Sequence, residues 1–151
     1  MRMNEVMTEG VQTVAPSMAA ADAWELMRRK RIHHVVVTRG ADVIGILSDR
    51  DAGSRAGATV RSGRTVAELM TSHAVTLSPT DTVRKAANVM RGRTIGCLPI
   101  TDTRGRLVGI VTVSDLLELL GRGVDRAAKP ERPLATHRAP HRKRHRAYGV
   151  W

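Results

Sequence analysis

Apolar and polar positions along the chain fall into short blocks that come round twice. Apolar runs of strand length cover residues 34–38, 43–47, 97–101 and 107–113. Each is rich in Val, Ile or Leu and bounded by polar turns at 39–42 and 102–106, which predicts two antiparallel hairpins. Helical spacing precedes each hairpin. Ala20, Ala23, Met27 and Lys30, with Trp24 beside them, share one face; Val83, Ala86, Ala87 and Met90 share another. Shorter β-like runs at 11–14 and 74–77 end at Pro16 and Pro79, and Ser17 or Thr80 then offers an N-cap. The second hairpin leads into a leucine-rich segment, Leu116 to Leu120, and the first is expected to lead into a matching closing helix. Glycines from Gly53 to Gly57 and at Gly63 mark the link between the halves, and residues 65–70 predict a short helix.

The recurrence is a duplication. Met7-Thr8 matches Met70-Thr71, Thr13 matches Thr76, Pro16 matches Pro79, Met27 matches Met90 and Thr38 matches Thr101, all at an offset of 63. One extra residue in the turn near Thr103 makes the offset 64 for the heptad Gly45-Ile-Leu-Ser48-Asp-Arg-Asp51 and its partner Gly109-Ile-Val-Thr112-Val-Ser-Asp115. The chain therefore reads as a β-α-β-β-α unit over 5–58, a linker over 59–68, a second unit over 69–121, and a tail over 122–151.

The heptads carry the candidate chemistry. Each ends a strand and starts a helix, with a hydroxyl at the turn and a carboxylate three residues on. A helix N-terminus presents unpaired N–H groups to phosphate. The hydroxyl adds a donor, and the carboxylate can accept from the two hydroxyls of a ribose. Ser48-x-x-Asp51 and Thr112-x-x-Asp115 also have the spacing of a capping box, which needs no ligand.

With this element order, the duplication and the paired G-h-h-[S/T]-x-x-D heptads, residues 5–121 resemble a tandem pair of CBS domains, the Bateman module named after cystathionine β-synthase. The resemblance implies an α+β (α/β sandwich-like) fold, two repeats packed sheet to sheet about a pseudo-twofold axis, and a homodimer. It also implies two clefts that accept AMP, ADP, ATP, S-adenosylmethionine or NAD. The ribose would be held by Asp51 and Asp115, with Ser48 and Thr112 near phosphate. Each cleft would be composite, with Ala15, Ala20, Ile32 and His33 facing Thr112 and Asp115. Ser78, Val83, Ile95 and Gly96 would face Ser48 and Asp51. The copies differ where Val36 stands against Pro99 and where His33-His34 stands against Gly96-Cys97. A cleft flanked by His33 and Arg50 is expected to favour phosphate more than its twin. His33 is read as the phosphate neighbour, His34 and Cys97 as structural.

Composition narrows the function classes. With no Phe and only Trp24, Tyr148 and Trp151 as aromatics, the core must be aliphatic, and the single Cys97 excludes an intrachain disulfide. No signal-peptide pattern or membrane-length apolar stretch is present, so a cytoplasmic protein is expected. No nucleophile elbow, P-loop, zinc signature or dinucleotide fingerprint occurs, which argues against an enzyme and against a bound metal. The net charge is +11, and residues 122–151 hold nine Lys/Arg against Asp125 and Glu131. That tail, read as disordered, includes His137, His141 and His145 and the run His141 to Arg146, which can contact a polyanion or nucleic acid. Two functions follow: a nucleotide sensor acting on an unidentified partner protein, or a nucleic-acid-associated protein that uses the pair as a dimerisation scaffold.

Overall fold

A computed structural model describes residues 1–122. The elements are α1 (Met3–Val6), β1 (Thr13–Val14), α2 (Ala20–Lys30), β2 (His34–Arg39), β3 (Asp42–Ser48), α3 (Ala58–Arg61), α4 (Val66–Leu69), β4 (Thr71–Ser72), α5 (Val83–Arg93), β5 (Cys97–Thr101), β6 (Leu107–Thr112) and α6 (Val113–Arg122). The first sheet runs β1-β2-β3-β4 and the second β5-β6. Both hairpins pair in the same register, down to a bulge at Val37/Thr38 in one and Ile100/Thr101 in the other. In the second repeat, single bridges Leu77–Ile100 and Thr8–Ile110 stand where β1 and β4 flank the first hairpin.

Those edge pairings reveal an exchange between the repeats. Residues 1–8 pack on the second repeat: Met3 N–H donates to Asp81 O (2.9 Å), Asn4 N–H to Pro79 O (3.0 Å), and Thr8 and Ile110 bond each other both ways. Residues 64–72 pack on the first: Ala20 N–H donates to Arg64 O (2.8 Å), Val66 N–H to Met18 O (2.8 Å), and β4 pairs with Gly45 and Ile46. The stretch read as a linker, 59–68, thus holds α3 and α4, and the packing units cross the boundaries drawn along the chain.

Each repeat has its own aliphatic core. Val14, Ala23, Met27, Val35, Val37, Leu47, Ala52 and Val66 form one; Met3, Leu77, Ala86, Met90, Leu98, Ile100, Val111 and Leu116 form the other. Met3 and Val66, from the exchanged segments, are fully buried in the repeat they do not precede. Because strand side chains alternate, Val36 and the pair Cys97 and Pro99 point away from these cores. They are buried too, and a Cβ on Gly96 would lie 3.9 Å from the ring of His34, so the two sheets cover each other.

Three sequence expectations change. The helices begin later than Ser17 and Thr80 suggest. The N-caps are Ala19 and Thr82, held extended by bridges to Thr65 and Arg2 of the exchanged segments. Ala87 is exposed; Val89 takes its place on the packed face of α5. The first repeat has no closing helix: residues 49–56 form a series of turns, where the second repeat has α6. Gly53 and Ser54 adopt positive φ (86° and 52°), and Gly53 packs backbone to backbone on Gly57, which a helix cannot accommodate. The basic tail lies outside the described residues. No helix among those described is long and apolar enough to cross a membrane.

Candidate functional site

Both heptads end in the same closed turn. Ser48 N–H donates to Asp51 Oδ2 (3.1 Å) and Asp51 N–H to Ser48 Oγ (3.0 Å). Thr112 N–H donates to Asp115 Oδ2 (2.8 Å) and Asp115 N–H to Thr112 Oγ1 (3.3 Å). The capping-box geometry is thus real at both turns, but it engages only one oxygen of each carboxylate. Among the described residues no hydrogen bond uses Oδ1 of Asp51 or Asp115. Each hydroxyl accepts from the backbone and keeps its own proton to donate. All four residues are half-buried, at strand ends that open to the surface.

The heptad glycines serve packing. A Cβ on Gly109 would lie 2.5 Å from Met7 Sδ, and one on Gly45 would lie 2.7 Å from Thr71 O and 2.8 Å from Met70 Sδ. The missing side chains let the exchanged segments lie flat across β3 and β6.

The strand that opens each hairpin is tied to the turn of its own repeat. Asp49 N–H donates to His33 O (2.9 Å) and Val113 N–H to Gly96 O (3.0 Å), the same bond in both copies. The exposed His33 ring places Nδ1 2.9 Å from Asp49 Oδ2. Burial lowers the His34 pKa below 6.5, against a smaller upward pull from Asp49. Cys97 is 3% exposed, and burial, aided by Asp115, pushes its thiol up to about 12.

The remaining predicted residues scatter around this frame. Ile32 packs on the first core, Val83 and Ile95 on the second, each half-buried. Arg50 and Ala15 are exposed. Ala20 is fully buried, so its methyl offers no surface to a ligand. Ser78 N–H donates to Asp81 Oδ2 (2.8 Å), a third turn of the S-x-x-D kind. The hydrogen bonds from Lys85, then from the Ser78 backbone, hold the Asp81 carboxyl below the usual carboxylate range. Asp81 and Asp49 escaped the sequence reading. The spacing Ser78-x-x-Asp81, identical to Ser48-x-x-Asp51, was the signal for the first; nothing but adjacency marks the second.

Two surface cavities lie elsewhere. One of ≈ 390 Å³ sits between the two hairpins, near Thr38, Gly40, Arg106 and Val108; one of ≈ 540 Å³ runs along α5 past Arg84, Asn88 and Arg93. Neither is lined by a predicted site residue.

A duplicated α+β unit that trades its leading segments and closes a hydroxyl–carboxylate turn at each strand end defines a two-repeat domain-pair protein. The chain belongs to the CBS domain family, whose model matches residues 3–52 and 66–122. It is 34% identical over 115 residues to the CBS domain-containing protein YhcV of Bacillus subtilis, covering 76% of this chain and 81% of that one. In fold it is similar to the CBS domain pair of protein MJ0100, solved with 5′-methylthioadenosine and S-adenosyl-L-methionine (TM-score 0.73, 24% identity, 81% of this chain and 97% of that chain). CBSX2 of Arabidopsis thaliana, solved with AMP, is comparably similar (TM-score 0.71, 23% identity, 83% and 98%).

Proposed function

We propose that this chain is a cytoplasmic, non-catalytic regulatory module that binds an adenosyl ligand at its two turns and signals through altered association. The observation that carries the reading is the half-used aspartate at each turn. Asp51 and Asp115 each cap with Oδ2 and keep Oδ1 for a diol, beside a hydroxyl with a proton to give. Complexes of similar folds with AMP and with S-adenosyl-L-methionine support the ligand class. Association into a homodimer is supported by α6, where Val113, Leu117 and Leu120 form an exposed apolar stripe.

Thermal melts with millimolar AMP, ADP, ATP, S-adenosylmethionine and NAD test this, with light scattering on the same samples. A true ligand at a hundredfold excess over Kd stabilises by about 2.7 kcal/mol and changes the scattering mass or that of a partner complex. Unchanged melts with all five contradict the reading.

A further inference from the structure

Arg61 is the buried charged residue of the described chain, 6% exposed, and its surroundings do not explain it as a stabiliser. None of the described ion pairs includes it. Burying a guanidinium without a carboxylate costs stability that an apolar side chain of similar volume would avoid. What Arg61 does make is specific. Its Nη1 donates to two carbonyls, Ala52 O at 2.8 Å and Ser54 O at 2.6 Å. Its guanidinium carbon lies 3.8 Å from the centroid of the Trp24 ring, a close cation–π contact.

Those two carbonyls belong to the turn series that follows Asp51. In the second repeat the equivalent stretch is α6, where the helical ladder fixes Asp115 at the N-terminus. In the first repeat that ladder is missing. Ala52, Gly53 and Ser54 instead donate back to Ser48, Arg50 and Asp49. Nothing periodic holds the segment, and its side chains are small. One nitrogen that grips carbonyls two residues apart anchors the turn series that follows Asp51, where the second repeat has a helix. Stacked on Trp24 of α2, it passes that position to the core of the first repeat.

We propose that Arg61 is a positioning residue for the first ligand turn, and that the Arg61–Trp24 stack senses occupancy of that turn but not of the second. The inference rests on the proposed adenosyl site, so the test has an arm that needs no ligand.

The test compares the full chain with Arg61→Met, which keeps length and packing on Trp24, and with Arg61→Lys, which keeps charge and a donor. Without ligand, amide exchange at Ala52, Gly53 and Ser54 should quicken about tenfold or more in Arg61→Met. It should quicken less in Arg61→Lys and stay unchanged across Val113–Leu116. With AMP in an Asp115→Asn background, which reports the first turn, Arg61→Met should weaken binding about tenfold through loss of charge-assisted bonds. In an Asp51→Asn background it should leave binding unaltered. Trp24 emission should shift with AMP in the first background and not in the second; Trp151→Phe removes the other indole. Unchanged exchange at residues 52–54 overturns the proposal. So does faster exchange with unaltered AMP affinity in the Asp115→Asn background, or an equal loss at both turns, which would make Arg61 a general staple. If AMP fails to bind the wild-type chain, the adenosyl reading fails and the exchange arm alone decides whether Arg61 positions the turn.

Discussion

At the scale of the residue, the heptads separate into parts with different jobs. The glycine admits an exchanged segment, the hydroxyl and carboxylate close the turn, and one carboxylate oxygen is left over. The two glycines face different obstacles, and that sets an order. Alanine at Gly45 meets the backbone carbonyl of Thr71, which is fixed by the β3–β4 pairing; alanine at Gly109 meets the flexible end of Met7. Overpacking of this kind costs about 1–3 kcal/mol, with Gly45→Ala expected at the upper end and Gly109→Ala at the lower. Chemical denaturation of both variants checks the order, and a costlier Gly109→Ala would contradict the packing account. The heptad was legible in sequence, and so were its two chemical readings, as cap and as site. That the cap leaves one carboxylate oxygen unused was not, because spacing cannot say which oxygen a cap uses.

At the scale of the element, the repeat pattern foretold the two hairpins and the helix that precedes each. It could not foretell which repeat an exchanged segment packs on, since Met7-Thr8 and Met70-Thr71 carry the same pattern and fit either sheet. The missing closing helix of the first repeat had a signal in Gly53, Ser54 and Gly57. The match of Ser48–Asp51 to Thr112–Asp115 points the other way. Ala52 fills the core position that Leu116 fills in the second repeat, a smaller side chain on a tighter backbone path. The exchange yields a directional prediction. Removing residues 1–8 takes Met3 from the second core and strips the edge bonds at Pro79, Asp81 and Ile110. Loss of the Met3 side chain alone is worth about 2–5 kcal/mol. Amide exchange in the truncated chain should therefore rise in α5, β5 and β6 before it rises in β2 and β3. Equal loosening of both repeats, or loosening of the first, would contradict the exchange.

At the scale of the whole molecule, duplication has produced two turns with one chemistry and two settings. The first carries His33, Asp49, Arg50 and the Arg61 grip; the second carries Gly96, Val113, Ser114 and a regular helix. Under the proposed adenosyl reading, the charged setting would give the first turn a cation for phosphate, and the plainer one would leave recognition to Asp115. Because the sheets cover each other and the leading segments cross over, neither repeat is a separate body. The exposed stripe of α6, Val113, Leu117 and Leu120, is the surface on which the proposed homodimer would form.

The central claim is that each aspartate is cap and ligand at the same time, and titration calorimetry with AMP on the wild type, Asp51→Asn, Asp115→Asn and the double variant tests it most directly. The amide oxygen can still accept from the Ser48 or Thr112 N–H, so folding stability should fall by about 1 kcal/mol per site. The lost charge-assisted bonds to the diol should weaken the altered turn by about ten- to a hundredfold. Each single variant should lose one turn and keep the other, and the double variant should lose both while it melts close to the wild type. Full affinity in the double variant would contradict the account and leave Asp51 and Asp115 as caps alone.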